Sequence, residues 1–180
     1  GDLLDTHPDT TLLLTADHGM SAKSRLIDLN DVLGAYGIRA EQVPIIKDRY
    51  VLHHSNLGGC MFIYMDPEHL SRMDEAINIL KETPGIEDVY SRDEAVEKLN
   101  LYHERIGDIV VTGDKATVFG PSEVSQEWGG DGKVSPTLRS HASAHEQDIP
   151  LLGYNGDFDG FDFSENRDMG RYVFERVLVD

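Results

Sequence analysis

Cysteine is almost missing from this chain of 180 residues. Cys60 is the single one, which excludes an internal disulfide. It sits in the apolar run GGCMFIYM, where it reads as a small core residue rather than a nucleophile. Positive charge is also scarce: 16 Lys and Arg stand against 33 Asp and Glu, a formal charge of -17, and no basic patch is visible. That argues against a nucleic-acid or anionic-membrane surface, since both need concentrated positive charge. An anionic substrate would need a strong local cation. No apolar stretch approaches the roughly 20 residues of a membrane span, and the opening GDLLDTHPDTT is polar rather than signal-like. Together with the lone thiol, this sets the expectation of a cytoplasmic location. Internal repeats and long low-complexity segments are absent. The length suits one main core with, at most, a small satellite.

The polar opening gives way to TLLLT (11–15), a short continuous apolar run of the kind buried on both faces of a parallel sheet. It leads directly into ADHGM. Asp28 is positioned as an N-cap for a helix carrying Leu29, Val32, Leu33 and Tyr36 at helical spacing, ended by Gly37. Strand, polar loop and helix in this order predict an α/β unit. YVLHH and CMFIYM read as strands separated by SNLGG. Asp66 and Pro67 open a helix whose apolar stripe is Leu70, Met73, Ala76, Ile77 and Leu80, and Pro84 and Gly85 close it. IEDVY follows as a strand. Ser91 and Glu94 form a capping box for a short helix with Ala95, Val96 and Leu99. IGDIVVTGDKATVFG then predicts a hairpin turning at Gly113 and Asp114. The order near 59–119 is thus β-α-β-α-β-β, a small α+β insertion, with 1–58 and 120–180 forming the core α/β portion. Residues 121–138 are rich in Gly, Ser and Pro and predict a long loop. IPLLGY resumes a strand, and Ser164 caps a closing helix with Met169, Tyr172, Val173 and Val177 on one face.

Functional groups of an open parallel sheet gather beyond the carboxyl ends of its strands, where ADHGM falls relative to TLLLT. A carboxylate and an imidazole are standard zinc ligands, so Asp17 and His18 are candidates, with Gly19 allowing the sharp turn that lets adjacent side chains converge. The bland alternative makes Asp17 a turn cap and His18 an ordinary loop residue. A second cluster, LRSHASAHEQDIPLL, places Arg139, His141, His145 and Glu146 before another apolar strand. Histidines four apart can share a helical face, but Ser, Ala and Pro150 favour a loop. That keeps His141 as a ligand and leaves His145 open between loop surface and a supporting role. His53 and His54 read as a solvated loop pair. His7, His69 and His103 read as surface histidines, and Trp128 as an anchor for its Gly-rich loop or a packing residue.

TADHGM followed by SAK resembles the metal-binding segment of the phosphodiesterase and phosphonoacetate hydrolase branch of the alkaline phosphatase superfamily. RSHAS with EQDIPLL resembles that branch's final metal histidine with its Glu and strand. Between them, YVLHHSNLGG and ERIGDIVV resemble phosphonoacetate hydrolases, in the same order and at similar separations, so the likeness spans nearly the whole chain. It implies part of an alkaline phosphatase-like sheet flanked by helices, and two zinc ions. Asp17 and His18 would hold the metal beside the nucleophile, and His141 the other. The implied nucleophilic Thr, a partner Asp and an Asp-x-x-x-His pair should lie upstream, so the chain is expected to be the C-terminal portion of a longer enzyme and inactive alone. The implied partner is a small anionic phosphonate or phosphate-ester substrate, with a homodimer left open. The implied reaction is cleavage of the C–P bond of phosphonoacetate to acetate and phosphate. A nucleotide pyrophosphatase and a non-catalytic binding module are the alternatives. Two departures stand out: Ala142 occupies the place of the Gly that follows the last metal histidine, and His145 a place where Ser or Thr is common. Alanine costs little there provided its φ is negative.

Overall fold

The computed structural model of the chain describes residues 2–46 and 57–178. The expected strand YVLHH and the histidines His53 and His54 lie outside the described residues. In chain order the strands are β1 (Leu12–Thr15), β2 (Ser21–Ala22), β3 (Arg25–Ile27), β4 (Ala40–Pro44), β5 (Cys60–Met65), β6 (Ile86–Ser91), β7 (Ile109–Gly113), β8 (Thr117–Phe119), β9 (Arg139–Ser140) and β10 (Leu151–Tyr154). The helices are α1 (Asp2–Thr6), α2 (Leu29–Gly34), α3 (Met73–Lys81), α4 (Arg92–Leu99), α5 (Glu123–Gln126) and α6 (Arg167–Tyr172). This is a mixed α/β protein. The chain divides into two compact units, Gly1–Gly19 with Gln147–Asp180, and Met20–Glu146.

In the larger unit an antiparallel sheet runs β4-β5-β7-β6. Its alternation explains the apolar runs, because both faces are covered. Met61, Ile63 and Met65 of β5, Ile109 and Val111 of β7 and Val89 of β6 point to one face. There they pack on Leu29 and Leu33 of α2 and Ala76 and Leu80 of α3. Cys60 and Val110 point to the other face, against Ala95 of α4, Ile106 and the half-buried Ala142. Each fully buried aliphatic side chain contributes about 1.5–3 kcal/mol. The sheet of the expected 59–119 insertion therefore extends to β4, which lies upstream of that segment.

Local signals were sound where the interaction is local. Asp28 caps α2 by accepting from the amides of Asn30 and Asp31, and Ser91 and Glu94 form the reciprocal capping box of α4. The helix after Asp66 is different: Pro67–Arg72 forms a 3-10 turn before α3, which leaves Leu70 exposed and off the stripe. Tyr36 is likewise exposed.

The expected hairpin at Gly113 and Asp114 does not form. β7 already has β5 on one edge and β6 on the other, so it offers no edge to β8, and β8 pairs in parallel with β3 instead. Asp114 redirects the chain as an Asx turn: its Oδ1 accepts from the Ala116 amide at 3.0 Å and from Thr117 Oγ1 at 2.7 Å. The expected long loop contains the short helix α5.

In the smaller unit, β1 pairs antiparallel with β10, Leu12 opposite Tyr154 and Leu14 opposite Leu152. The expectation of a parallel strand buried on both faces is corrected here, since Leu12 is 40% and Leu14 54% exposed. Leu13 points inward to a cavity of about 240 Å³, beside Leu151, Phe158, Phe163 and Met169. Phe158, Phe161 and Phe163 cluster around the ring of Tyr172 on α6. The cap of α6 is reversed from expectation. The Asp168 carboxylate accepts from Ser164 N and Oγ and from Glu165 N, and the backbone bonds hold it down at about 2. Beyond α6 the chain continues as a π turn, Val173–Val177, which leaves Val177 exposed. No helix among the described residues is long and apolar enough to cross a membrane.

Candidate metal centre

Asp17 and His18 follow β1 in the smaller unit. The main-chain amide of His18 donates to Asp17 Oδ1 at 2.9 Å. His18 Nδ1 lies 2.9 Å from the Gly19 carbonyl. A carbonyl only accepts, so Nδ1 carries the proton of that contact and the ring's lone pair is on Nε2. Nε2 lies 3.5 Å from Asp17 Oδ2. Zinc bonds of about 2.0–2.1 Å in a tetrahedron separate neighbouring donor atoms by about 3.3 Å. The two donors therefore fit one edge of a zinc coordination shell, with the tautomer set by a backbone acceptor as is usual for ligating histidines.

His141 lies in the larger unit, directly after β9. β9 pairs antiparallel with β2, Ser21 opposite Ser140, and Arg139 and Lys23 extend the connection by donating to the carbonyls of Met20 at 2.7 Å and Leu138 at 3.0 Å. Ser140 is buried and its hydroxyl donates to the Leu57 carbonyl. The His141 carbonyl accepts from Gly59 N at 2.8 Å. A Cβ at Gly59 would stand 2.8 Å from Ser143 Cβ, so glycine is what lets β5 approach this turn. Ala142 has φ of 78°, in the left-handed region. The condition of a negative φ, under which alanine would be cheap, is not met. The turn reverses sharply enough to require the left-handed conformation, and alanine adopts it under strain.

Beyond it, Glu146 collects the segment. Its Oε2 accepts from Ser143 N at 2.9 Å and Ser143 Oγ at 2.7 Å, and its Oε1 accepts from Lys23 Nζ at 3.0 Å. Both charged side chains are enclosed, 0% exposed for Lys23 and 1% for Glu146. Lys23 Nζ also donates to the Lys115 carbonyl at 3.1 Å. Burial alone would raise the Glu146 carboxyl. Hydrogen bonds from Ser21, Ser143 and Lys23 outweigh it and bring it to about 2, so Glu146 is ionised. The sequence placed Glu146 in the second cluster and carried SAK as part of a resemblance, but did not pair Glu146 with Lys23, because the two are 123 residues apart.

The other histidines have local duties. Ala144–Glu146 is a 3-10 turn, in keeping with a loop, and His145 Nε2 meets Glu87 Oε2 at 2.6 Å on the surface. His69 Nδ1 accepts from Arg39 N at 2.8 Å, a structural role that the surface assignment missed. Burial raises the Cys60 thiol to about 12, which removes it as a nucleophile. Trp128 is half exposed and borders a cleft of about 420 Å³ with Lys133 and Ser135. Among the described residues, no group of three or more His, Cys, Asp or Glu is gathered as a metal site.

The mixed α/β architecture is of the alkaline phosphatase-like class. Residues 1–138 match the type I phosphodiesterase / nucleotide pyrophosphatase family, and the chain belongs to that family. Among solved structures it is similar to phosphonoacetate hydrolase from Sinorhizobium meliloti in complex with phosphonoacetate. The identity is 29%, the TM-score 0.68, and the match covers 82% of this chain and 37% of that one. The same enzyme in complex with phosphonoformate matches equally. The murine ectonucleotide pyrophosphatase / phosphodiesterase 5 matches at 19% identity with a TM-score of 0.49, over 85% of this chain and 36% of that one. These neighbours are hydrolases, and the chain spans little more than a third of their length.

Proposed function

We propose that this chain is part of a two-zinc hydrolase that cleaves the C–P bond of phosphonoacetate to acetate and phosphate, with Asp17 and His18 holding one zinc ion and His141 the other. The observation that carries it is the Asp17–His18 pair, whose donor atoms stand 3.5 Å apart while Nδ1 is engaged by Gly19. Similarity to phosphonoacetate hydrolase at 29% identity supports the substrate class. Zinc at such a site supplies Lewis acidity toward phosphorus-bound oxygens and the local cation that a chain of charge -17 lacks. The chain's own residues do the holding. Gly19 fixes the His18 tautomer through its carbonyl, and the main-chain amide of His18 fixes one Asp17 oxygen so that the other faces the ring.

A second reading, a zinc-dependent nucleotide pyrophosphatase or phosphodiesterase, is favoured by the family match and by half-exposed Trp128 beside Lys133, an aromatic surface near a cation. Calorimetric titration with zinc tests the metal assignment, with His18→Ala and His141→Ala each expected to weaken binding. Unaltered titration in both variants refutes it and favours a catalytically inert binding module. Parallel assays of the longer protein on phosphonoacetate and on a nucleotide phosphodiester decide between the substrates.

A further inference from the structure

The His141 turn is clamped from both sides. Upstream, buried Ser140 is tied to Leu57 and β9 to β2. In the middle, the His141 carbonyl is held by Gly59. Downstream, Ser143 gives both its amide and its hydroxyl to one oxygen of Glu146, and the other oxygen takes Lys23, the residue after the strand that pairs with β9. Between the clamps sits Ala142 at φ of 78°, a conformation that alanine keeps only when its surroundings over-determine it.

A buried ion pair is a poor means of stabilising a core, because desolvation offsets most of its attraction, and an apolar pair of similar volume usually does as well. An apolar pair would, however, leave the Ser143 amide and hydroxyl without an acceptor. The charged pair thus supplies geometry that packing alone does not. We propose that Lys23 and Glu146, acting through Ser143, are positioning residues that hold the turn so that His141 presents its ring to a metal ion. This rests on the assignment of His141 as a zinc ligand. Lys23 directly follows β2, and its main-chain amide donates to the Leu138 carbonyl at 3.0 Å, so the same residue also ties β2 to the segment that carries the turn.

The test uses the 180-residue chain as wild type, His141→Ala, Lys23→Met and Ser143→Ala. Zinc affinity is read by calorimetry, folding by circular dichroism, and the turn by amide exchange at Gly59 and Ser143. Lys23→Met, if folded, is expected to weaken the His141-dependent zinc affinity by about 10–100-fold, the scale on which groups that orient a ligand act, and to speed exchange at both amides. Ser143→Ala keeps the ion pair and is expected to move affinity and the Gly59 exchange in the same direction by several-fold, which serves if Lys23→Met does not fold. Either variant, folded and binding zinc like the wild type with exchange unchanged, overturns the positioning role alone. If His141→Ala binds zinc like the wild type, the assignment of His141 as a ligand falls and this inference falls with it.

Discussion

Glutamine at position 146 keeps the shape of the side chain and removes its charge. The pair it interrupts is enclosed, with Lys23 0% and Glu146 1% exposed, so the ammonium of Lys23 would remain buried with only neutral acceptors such as the Lys115 carbonyl at 3.1 Å. Breaking a buried pair from one side costs about 3–5 kcal/mol, against a total of about 5–15 kcal/mol for a domain. With a urea dependence of about 2 kcal/mol per molar, the midpoint of unfolding at neutral pH should fall by about 2 M. The pH dependence gives an independent check. Glu146 is held at about 2 in the folded chain against an ordinary 4.5. A depressed carboxyl stabilises the fold fully above its unfolded value, and that contribution is lost as pH falls from 4.5 toward 2. The difference corresponds to about 3 kcal/mol. The stability curves of wild type and Glu146→Gln should therefore run apart above pH 4.5 and converge near pH 2. A loss below about 1 kcal/mol at neutral pH, or a gap that does not change on acidification, would refute the account of this pair.

Two further outcomes follow from the same coordinates. Ala142→Gly should raise stability by about 0.5–1 kcal/mol, since glycine tolerates positive φ where alanine does not, less the small packing of a half-buried methyl. A lower urea midpoint would show that the methyl contact with the sheet outweighs the backbone strain. Cys60 is buried with its thiol raised to about 12, so it should react with a thiol reagent only at the rate of unfolding. Rapid modification of the folded chain would place it outside the core.

Much of the chain declared itself locally. Asp28 and Ser91 with Glu94 were legible because a cap is satisfied within three residues of itself. CMFIYM and IVV were legible as strands because both faces of their sheet are covered. The hairpin after Gly113 was misread for the opposite reason, since the turn residues were suitable but β5 and β6 had already taken both edges of β7. TLLLT signalled a strand correctly. Its apolar composition did not reveal that Leu12 and Leu14 would face outward on an antiparallel pair.

At the candidate site, residue identity came from the sequence and geometry from the fold. That an aspartate and a histidine stand adjacent after a strand is written in the chain. That their donor atoms come to 3.5 Å with the tautomer fixed by Gly19 required coordinates. The left-handed Ala142 and the Lys23–Glu146 clamp were decided by tertiary structure alone. A φ angle answers to what the neighbouring strands permit, and a buried ion pair exists only once folding brings residues 123 apart into a space without water. Caps, alternation and composition act over a few residues, so the sequence determined the elements. Edge availability and burial act over the whole unit, and they decided how those elements were joined.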